Sequence, residues 1–354
     1  MSTPAATHPG ISAGGRDHRR LFATEDIACR LRKALDSWDA DNHGPTSSLT
    51  GRGAIAEFEA EVAKYVPGRH VVAVSSGSAA LRICLEIAGV GPNTEVICAA
   101  YDWPAAIAAV KSLGAQPVFA AVNEETFTID PADVMAKVTP RTRVVVATHV
   151  FGIPADAVRI RNLLEPLGIV LIEDCAQAFG ARLDRRPVGS IGQLAAFSFG
   201  PGKTIDAGEG GAVAVENAAD FLAVLRASQH PLRQLLHGIH PQTMDGFQQR
   251  LHPAAAILGL VELRSVDDRL CGARRMAVEL IAALLDRRGR LVGVDVRREP
   301  SWYRLPVVLA DTDIEVPGVT FADPGAQILA EHALSQAVRS SLKRLRAAVV
   351  QRRP

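Results

Sequence analysis

The stretch FSFGPGKTIDAGEGG, residues 197–211, ends one apolar segment of the chain and leads into the next. A Gly/Pro turn presents Lys203 shortly after an apolar run that closes on Ser198, and the glycines that follow let other backbone approach closely. A lysine held directly behind a buried strand is a candidate for covalent amine chemistry. The stretch therefore predicts two strands joined by a turn that carries a reactive amine.

Short apolar runs alternate with helix-like segments on both sides of that stretch. The first five runs are near-continuous Val, Ile and Ala, which is typical of strands buried on both faces of a parallel sheet. This βαβ rhythm predicts a doubly wound α/β domain with a mostly parallel seven-stranded sheet. The predicted strands span residues 71–74, 95–99, 117–122, 143–150, 169–172, 194–199 and 212–215, and the helices between them span 78–88, 103–113, 131–137 and 156–167.

The segments outside this rhythm divide the chain into three expected parts. We expect a disordered tail over residues 1–20, N-terminal helices and a large α/β domain over 21–245, and a smaller α+β domain over 246–354. The patterns after the sheet predict a loop over 229–249, a helix over 252–285, a strand over 302–309 and a terminal helix over 327–349.

The bulk composition argues against several classes of protein. The chain has 354 residues with 48% hydrophobic content, enough for a large core, and its net charge of +1 gives no field that attracts nucleic acid or a membrane. No apolar run reaches the ~18 residues of a membrane span, and no His or Cys spacing predicts a metal site. Scattered cysteines without a C-x-x-C pair indicate a reduced, cytoplasmic setting.

Polar groups follow two other predicted strands at their carboxyl ends, where ligands bind in open α/β sheets. Gly77 and Ser78 start a helix after the first strand, and free N–H groups at such a start attract anions, although a plain serine N-cap is the alternative. Asp174 follows the strand at 169–172. A buried carboxylate there needs a cationic partner, such as a protonated pyridine nitrogen, unless it only caps the strand end. Gln177, one turn on, could contact the hydroxyl of such a ring.

Further side chains complete the predicted constellation. Trp103 follows the strand at 95–99, where a flat aromatic either stacks on a planar ring or packs in the core. Ser198 could donate to a phosphate, and His149 either lines the pocket or is a core histidine. Lys203 supplies an amine, Asp174 a carboxylate, and the helix start at Gly77 a phosphate-binding site. These are the three groups that pyridoxal 5′-phosphate (PLP) requires of its protein. Lys203 would condense with the aldehyde of this cofactor and later act as a base.

These motifs resemble the DegT family, the sugar and aminocyclitol aminotransferases of antibiotic and cell-envelope pathways. The resemblance covers about residues 30–310. It is carried by SGSAAL at 76–81, TPRTR at 139–143, HVFG at 149–152, IEDCAQAFGA at 172–181, VGSIG at 188–192 and the 197–211 stretch.

The resemblance implies a fold similar to that of aspartate aminotransferase, known as fold type I, in a homodimer whose active sites lie at the subunit interface. It also implies a cofactor that alternates between PLP and pyridoxamine 5′-phosphate. By position, the matching residues are Lys203 for the Schiff-base lysine, Asp174 for the partner of the pyridine nitrogen, Trp103 for the stacking aromatic, Gln177 for the residue near the ring hydroxyl, and Gly77, Ser78 and Ser198 for the phosphate ligands.

Two departures separate the chain from the family pattern. The family has an asparagine in a Gly-Tyr-Asn-x-Arg-like segment that reaches the phosphate in the partner subunit, and here GFQQR at 246–250 puts Gln248 at that place. The region after residue 309 is shorter than usual, and the distal segment that helps enclose the sugar is largely absent between 316 and 327. Cofactor chemistry is therefore better supported than a standard nucleotide-sugar substrate.

The leading prediction is a PLP-dependent aminotransferase. It would move an amino group from an amino acid, by resemblance glutamate or glutamine, to a keto-sugar, keto-cyclitol or related biosynthetic intermediate. A second hypothesis keeps the cofactor but changes the reaction to elimination, replacement or amino-acid chemistry, because the C-terminal region is short. A third is a non-catalytic partner that retains the fold, against which Lys203 and Asp174 argue. A nicotinamide dehydrogenase is disfavoured, since no G-x-G-x-x-G follows an early strand.

Overall fold

A computed structural model of the chain describes residues 27–40, 49–240, 246–284, 290–293, 295–308, 319–322, 327–328 and 345–350. The predicted disordered tail, residues 1–20, lies outside these residues. Among the described helices, none combines the length and the apolar character needed to cross a lipid bilayer.

The strands within the described residues form one large sheet and three smaller ones. In chain order they are β1 His70–Val74, β2 Glu95–Ala99, β3 Tyr101–Asp102, β4 Gln116–Ala120, β5 Thr142–Thr148, β6 Val170–Asp174, β7 Arg182–Leu183, β8 Arg186–Pro187, β9 Leu194–Ser198, β10 Gly211–Val215, β11 Arg290–Leu291, β12 Arg298–Glu299, β13 Leu305–Val308, β14 Val319–Ala322, β15 Gln327–Ile328 and β16 Leu345–Val350.

The large sheet has the strand order β1-β10-β9-β6-β5-β2-β4. Its pairs β4–β2, β2–β5, β5–β6 and β6–β9 are parallel, whereas β10 pairs antiparallel with both β9 and β1. Within this sheet β10 is thus the one strand that runs in the opposite direction. The prediction of an α/β fold with a mostly parallel seven-stranded sheet is confirmed, and each predicted strand overlaps an observed one.

Helices cover both faces of the large sheet. Val72 and Val74 of β1 pack in one core cluster, whereas the alternate residues Val71 and Ala73 pack in another. This alternation is why the strand reads as a continuous apolar run. The helices are α1 Ile27–Ala40, α2 Ala54–Ala63, α3 Gly77–Ile87, α4 Ala105–Ser112, α5 Pro131–Ala136, α6 Ala157–Leu164, α7 Ala218–Ser228, α8 Pro231–Leu236, α9 Pro253–Leu263 and α10 Val266–Leu284.

Three sequence predictions after residue 228 are wrong. The terminal helix over 327–349 is wrong wherever the structure describes it, because β15 and β16 occupy those parts. Strand β16 lies between β13 and β14, and this pairing outweighs the helix-favouring Leu, Arg and Ala of its sequence. The predicted loop contains α8, which starts with Pro231 behind a His230 cap, and the predicted helix over 252–285 is split into α9 and α10.

A buried ion pair joins α2 to α8. The guanidinium of Arg233 donates to both carboxylate oxygens of Glu59, at 2.9 and 2.7 Å, and Glu59 Oε1 also accepts from Ala73 N of β1 at 2.8 Å. Burial raises the pKa of Glu59, and the charge of Arg233 opposes this effect without cancelling it. The pair therefore connects two helices to the edge strand of the sheet.

Replacing Arg233 with methionine should destabilise the protein by about 3–5 kcal/mol, because it leaves the Glu59 carboxylate buried without its cation. Urea denaturation measures this loss. The double variant Glu59→Gln/Arg233→Met should recover most of it, since glutamine still accepts from Ala73 N without a charge. A single variant as stable as the wild type would show that the pair contributes nothing to folding.

Candidate active site

The predicted functional groups follow strands whose carboxyl ends lie at one edge of the large sheet. Strands β1, β2, β5, β6 and β9 run in the same direction, so their carboxyl ends meet at that edge. Strand β10 runs the other way and starts there with Gly211, directly opposite Ser198 of β9. The connection that carries Lys203 therefore begins and ends at the same edge, where clefts in open α/β sheets form.

The N-terminus of α3 is the predicted anion-binding position. Ser76 is its N-cap, the Ser76 hydroxyl accepts from Ala79 N at 3.1 Å, and Ala80 N donates to the Ser76 carbonyl. The hydrogen bonds described for the chain leave the first-turn N–H groups of Gly77 and Ser78 unused, which suits an anion.

Ser198 lies against this helix start. A Cβ atom placed on Gly77 would be 2.6 Å from Ser198 Cβ and 3.0 Å from its Oγ, so only glycine allows this approach. Gly211 is equally constrained, because a Cβ there would collide with the carbonyl of Ser76. The structure thus brings the predicted phosphate ligands Gly77, Ser78 and Ser198 together in one place.

Replacing Gly77 with alanine should displace Ser198 and weaken binding of inorganic phosphate by about tenfold or more, since an overpacked contact costs about 1–3 kcal/mol. Titration calorimetry with phosphate measures the change. Gly91→Ala is the matched control, because a Cβ there meets no atom within 4 Å. Equal phosphate binding by both variants would argue against an anion site at α3.

Asp206 holds the connection between β9 and β10 in shape. Its carboxylate accepts from Gly202 N and from Gly208 N, both at 3.0 Å, and both glycines have a positive φ that favours glycine. Arg30 of α1 donates to the Asp206 carbonyl. Lys203 lies within this loop, half-buried, and its backbone N–H donates to the carbonyl of Gly200. The amine is therefore carried by an ordered turn.

Asp174 ends β6 as a buried carboxylate. Its Oδ1 accepts from Ala176 N at 2.9 Å, and the described ion pairs give it no cation. Burial raises the pKa of Asp174. The hydrogen bond from Ala176 N and the positive charge of Lys203 oppose this rise without cancelling it. Asp174 and Lys203 both follow strands that end at the same edge of the sheet, and the charge of Lys203 acts on Asp174.

A segment from beyond residue 300 closes over Lys203 and Gln177. The Nζ atom of Lys203 lies 4.9 Å from the ring centroid of Tyr303, a cation–π contact. Ser301 Oγ donates to the Gln177 carbonyl at 3.3 Å, and Gln177 Oε1 accepts from Phe151 N at 2.8 Å. The hydrogen bond from Phe151 N fixes the side chain of Gln177 and leaves its NH₂ group able to donate.

Trp103 and Gln248 are both exposed. The indole of Trp103 is 53% exposed, which for so large an apolar side chain favours a stacking surface over a core position. Gln248 lies beside Gln249, whose carbonyl accepts from Ser75 N at 2.8 Å, close to the start of α3. A role for Gln248 in the site of a partner subunit stays a prediction.

His149 lies behind the site and not at its surface. It is fully buried, its Nδ1 accepts from Ala155 N at 2.9 Å, and its Nε2 therefore donates to Glu173 Oε2 at 3.0 Å. Burial opposes ionisation of Glu173, but the hydrogen bond from His149 and two backbone N–H groups outweigh it and hold the pKa of Glu173 below its ordinary value. The placement favours the alternative that His149 is a core histidine.

The sulfur of Cys175 completes a buried cluster with His149 and Glu173, whose potential ligand atoms lie within 4.8 Å of one another. Glu173 Oε1 already accepts from Ile191 N and Gly192 N, and burial raises the pKa of the Cys175 thiol well above its ordinary value. A metal ion needs a deprotonated thiol and free lone pairs. These groups instead form a hydrogen-bonded support for the end of β6.

Sequence reasoning missed Tyr303 and Asp102. Tyr303 was part of a predicted strand, whereas a turn with a positive φ of 53° at Trp302 directs this segment to Lys203. Asp102 directly precedes Trp103 and is 2% exposed. The sequence did contain a signal for Asp102, because this carboxylate follows an apolar strand just as Asp174 does.

Comparison with known proteins adds a family to this geometry. Residues 37–319 match the DegT/DnrJ/EryC1/StrS aminotransferase family. A dTDP-3-amino-3,4,6-trideoxy-alpha-D-glucose transaminase of Micromonospora megalomicea subsp. nigra is 34% identical over 68% of this chain and 64% of its own length. An L-glutamine:2-deoxy-scyllo-inosose aminotransferase of Streptomyces kanamyceticus is 41% identical over 44% of this chain and 36% of its own length. The chain thus spans less than two thirds of these relatives.

A solved structure gives the corresponding fold. S. venezuelae DesV in complex with a ketimine intermediate is similar to 92% of this chain, over 90% of its own length, with a TM-score of 0.74 and 27% sequence identity. The resemblance noted from the sequence motifs is thereby confirmed at the level of both family and fold.

Proposed function

Since the chain belongs to the DegT/DnrJ/EryC1/StrS aminotransferase family, we propose that it is a PLP-dependent aminotransferase. Its amino donor is glutamine or glutamate, and its acceptor is the ketone of a sugar, a cyclitol or a related biosynthetic intermediate. The named relatives support these substrate classes, since one is a dTDP-aminosugar transaminase and another an L-glutamine:2-deoxy-scyllo-inosose aminotransferase. The observation that carries the proposal is that the buried Asp174 carboxyl, the close approach of Gly77 to Ser198 and the loop of Lys203 lie at one edge of the sheet.

The residues present fit PLP. Asp174 is a buried carboxyl in need of a cation, which a protonated pyridine nitrogen would supply. The glycine-lined start of α3 beside Ser198 would hold the phosphate, and the exposed indole of Trp103 would cover the ring. Gln177 would donate to the ring hydroxyl, and Lys203 would bind the aldehyde carbon.

When bound, PLP supplies an electron sink for the carbanion that forms at a substrate carbon. The protein residues perform the remaining tasks. Asp174 keeps the pyridine nitrogen protonated, because its buried carboxylate favours a cation beside it. The Lys203 amine takes the proton from the Cα atom of the amino donor and returns it during amination of the acceptor. Tyr303 holds this amine above its ring while it is cationic.

A half-reaction tests the proposal without knowledge of the acceptor. The purified protein is loaded with PLP and mixed with L-glutamine or L-glutamate, and the expected result is stoichiometric pyridoxamine 5′-phosphate with the matching 2-oxo acid. Release of ammonia or an eliminated group without pyridoxamine 5′-phosphate would instead favour elimination or replacement. A protein that binds no PLP would contradict the proposal.

We also propose that the chain acts in the cytoplasm as a homodimer with shared sites. Exposed apolar side chains support a second copy, since Phe247 is 68% exposed beside Gln248, and Leu232, Leu235 and Leu236 of α8 are each at least 45% exposed. Light scattering measures the assembly, and a monomer that retains full activity would contradict sharing.

A further inference from the structure

Asp102 is a second buried carboxyl at the sheet edge, and the proposed mechanism does not use it. It ends the short strand β3 and is 2% exposed. Its Oδ1 accepts from Trp103 N at 2.6 Å, and its Oδ2 lies 2.5 Å from Thr148 Oγ1 at the end of β5. The described ion pairs include none with Asp102. Asp102 thus links the proposed stacking residue to the strand beside Asp174.

The charged and titratable groups around Asp102 belong to strands β2 and β6 and to the segments that follow β5 and β9. Asp174 of β6 acts on it with a negative charge, and Cys98 of β2 carries a buried thiol whose pKa burial and the charges of Asp102 and Asp174 raise. Lys203 acts on Asp174 and favours its ionised form, whereas His149 donates its Nε2 hydrogen to Glu173. Gln327 of β15 pairs with Asp102 through the backbone and adds no charge. Thr148, which contacts Asp102, is the register partner of Asp174, so the two carboxyls lie on adjacent parts of the sheet edge.

The balance of these effects places Asp102 in the neutral range. Burial raises its pKa to about 7, the charge of Asp174 adds to this rise, and the hydrogen bonds from Thr148 and Trp103 N oppose it. Both protonation states are compatible with the contacts. A protonated Oδ2 donates to Thr148 Oγ1, an ionised Oδ2 accepts from it, and Oδ1 accepts from Trp103 N in either state.

We propose that Asp102 is a positioning residue that holds Trp103 and carries a proton while Asp174 lacks a cationic partner, and that it releases this proton when a pyridinium nitrogen pairs with Asp174. The inference rests on the proposed function, because PLP supplies that cation. The O–H bond at Asp102 breaks, its electron pair stays on the carboxylate, and the proton passes to the solvent. The new carboxylate then adds to the negative potential that keeps the ring protonated.

Proton release on PLP binding tests this inference. Titration calorimetry of the apo protein with PLP, in two buffers of different ionisation enthalpy near pH 7, counts the protons exchanged. Compared with Asp102→Asn, the wild type should release about half a proton more for a one-unit fall in the pKa of Asp102. Between pH 6 and pH 8, the affinity of the wild type for PLP should increase about fivefold more than that of the variant.

Two further measurements separate titration from a structural role. Thr148→Val removes a hydrogen bond that lowers the pKa of Asp102, so the extra proton release should move to higher pH. The infrared spectrum of the apo protein should lose a carboxyl C=O band between pH 6 and pH 8 in the wild type, and this change should be missing in Asp102→Asn.

The outcomes distinguish this inference from the proposed function. Equal proton counts and equal infrared changes in wild type and Asp102→Asn, with PLP still bound, would overturn the role of Asp102 and leave the aminotransferase proposal intact. A wild type that binds no PLP would overturn both. A Thr148→Val profile that coincides with the wild-type profile would also contradict the proposed proton release.

Discussion

Replacing Lys203 with alanine abolishes the half-reaction with glutamine or glutamate, with an expected loss of about 10³-fold or more. In the proposed mechanism, the variant lacks both the amine that binds the cofactor aldehyde and the base that moves the Cα proton. The visible absorption band of PLP bound to a lysine should disappear as well. Rapid-mixing spectroscopy with the loaded protein measures both effects.

Lys64→Ala is the matched control for this variant. Lys64 follows α2 with a side chain that is 66% exposed and pairs only with Glu61 among the described ion pairs. Its loss should change neither the absorption band nor the rate, since exposed pairs contribute little. Full activity of Lys203→Ala would contradict the proposed function, because the described site offers no other amine that acts on Asp174.

Replacing Asp174 with asparagine should lower the rate by about 10²–10⁴-fold, because a buried ion pair that loses one partner costs about 3–5 kcal/mol and each ~1.4 kcal/mol is a factor of ten. Asparagine keeps an oxygen that accepts from Ala176 N, so only the charge is removed. The pyridine nitrogen then loses the group that keeps it protonated. Steady-state kinetics at saturating PLP separate this effect from weaker cofactor binding.

Although Asp174→Asn should lower the rate, it should not lower the stability of the folded apo protein. Since burial raises the pKa of Asp174, the ionised carboxylate destabilises the folded apo protein above the pKa of the unfolded chain. Asp174→Asn removes this penalty, so the apo variant should be at least as stable as the wild type at pH 8. A slow, destabilised variant would indicate that Asp174 supports the fold and not the ring nitrogen.

The sheet could be predicted from the sequence because its strands are buried on both faces. Runs such as VVAV and EVICA contain almost no polar residue, so their limits are visible at turns and at polar strand ends. The reversed direction of β10 could not be predicted from its own residues, since an apolar run reads alike in both directions. Only the short connection from Ser198 to Gly211 carries that information.

The residues of the candidate site that follow strands of the large sheet could be predicted from the sequence. Those contributed by distant parts of the chain could not. Asp174, Ser198 and Lys203 follow strands of one sheet, so the topology alone places them at one edge. Tyr303 reaches Lys203 from a separate part of the chain, and no local pattern encodes such a contact. His149 illustrates a further limit, because the choice between pocket and core depended on Ala155 and Glu173, which only the fold brings to its two ring nitrogens.

The loop between β9 and β10 has both ends fixed beside the start of α3, the proposed phosphate position. Ser198 touches Gly77, Gly211 touches Ser76, and the two residues oppose each other across the strand pair. The length of this loop consequently sets the distance between the proposed anion position and the amine of Lys203. Inserting a single residue beside Lys203 would lengthen the loop while Ser198 and Gly211 stay in place. The distance between the amine and the proposed anion position could therefore be changed by engineering this one loop.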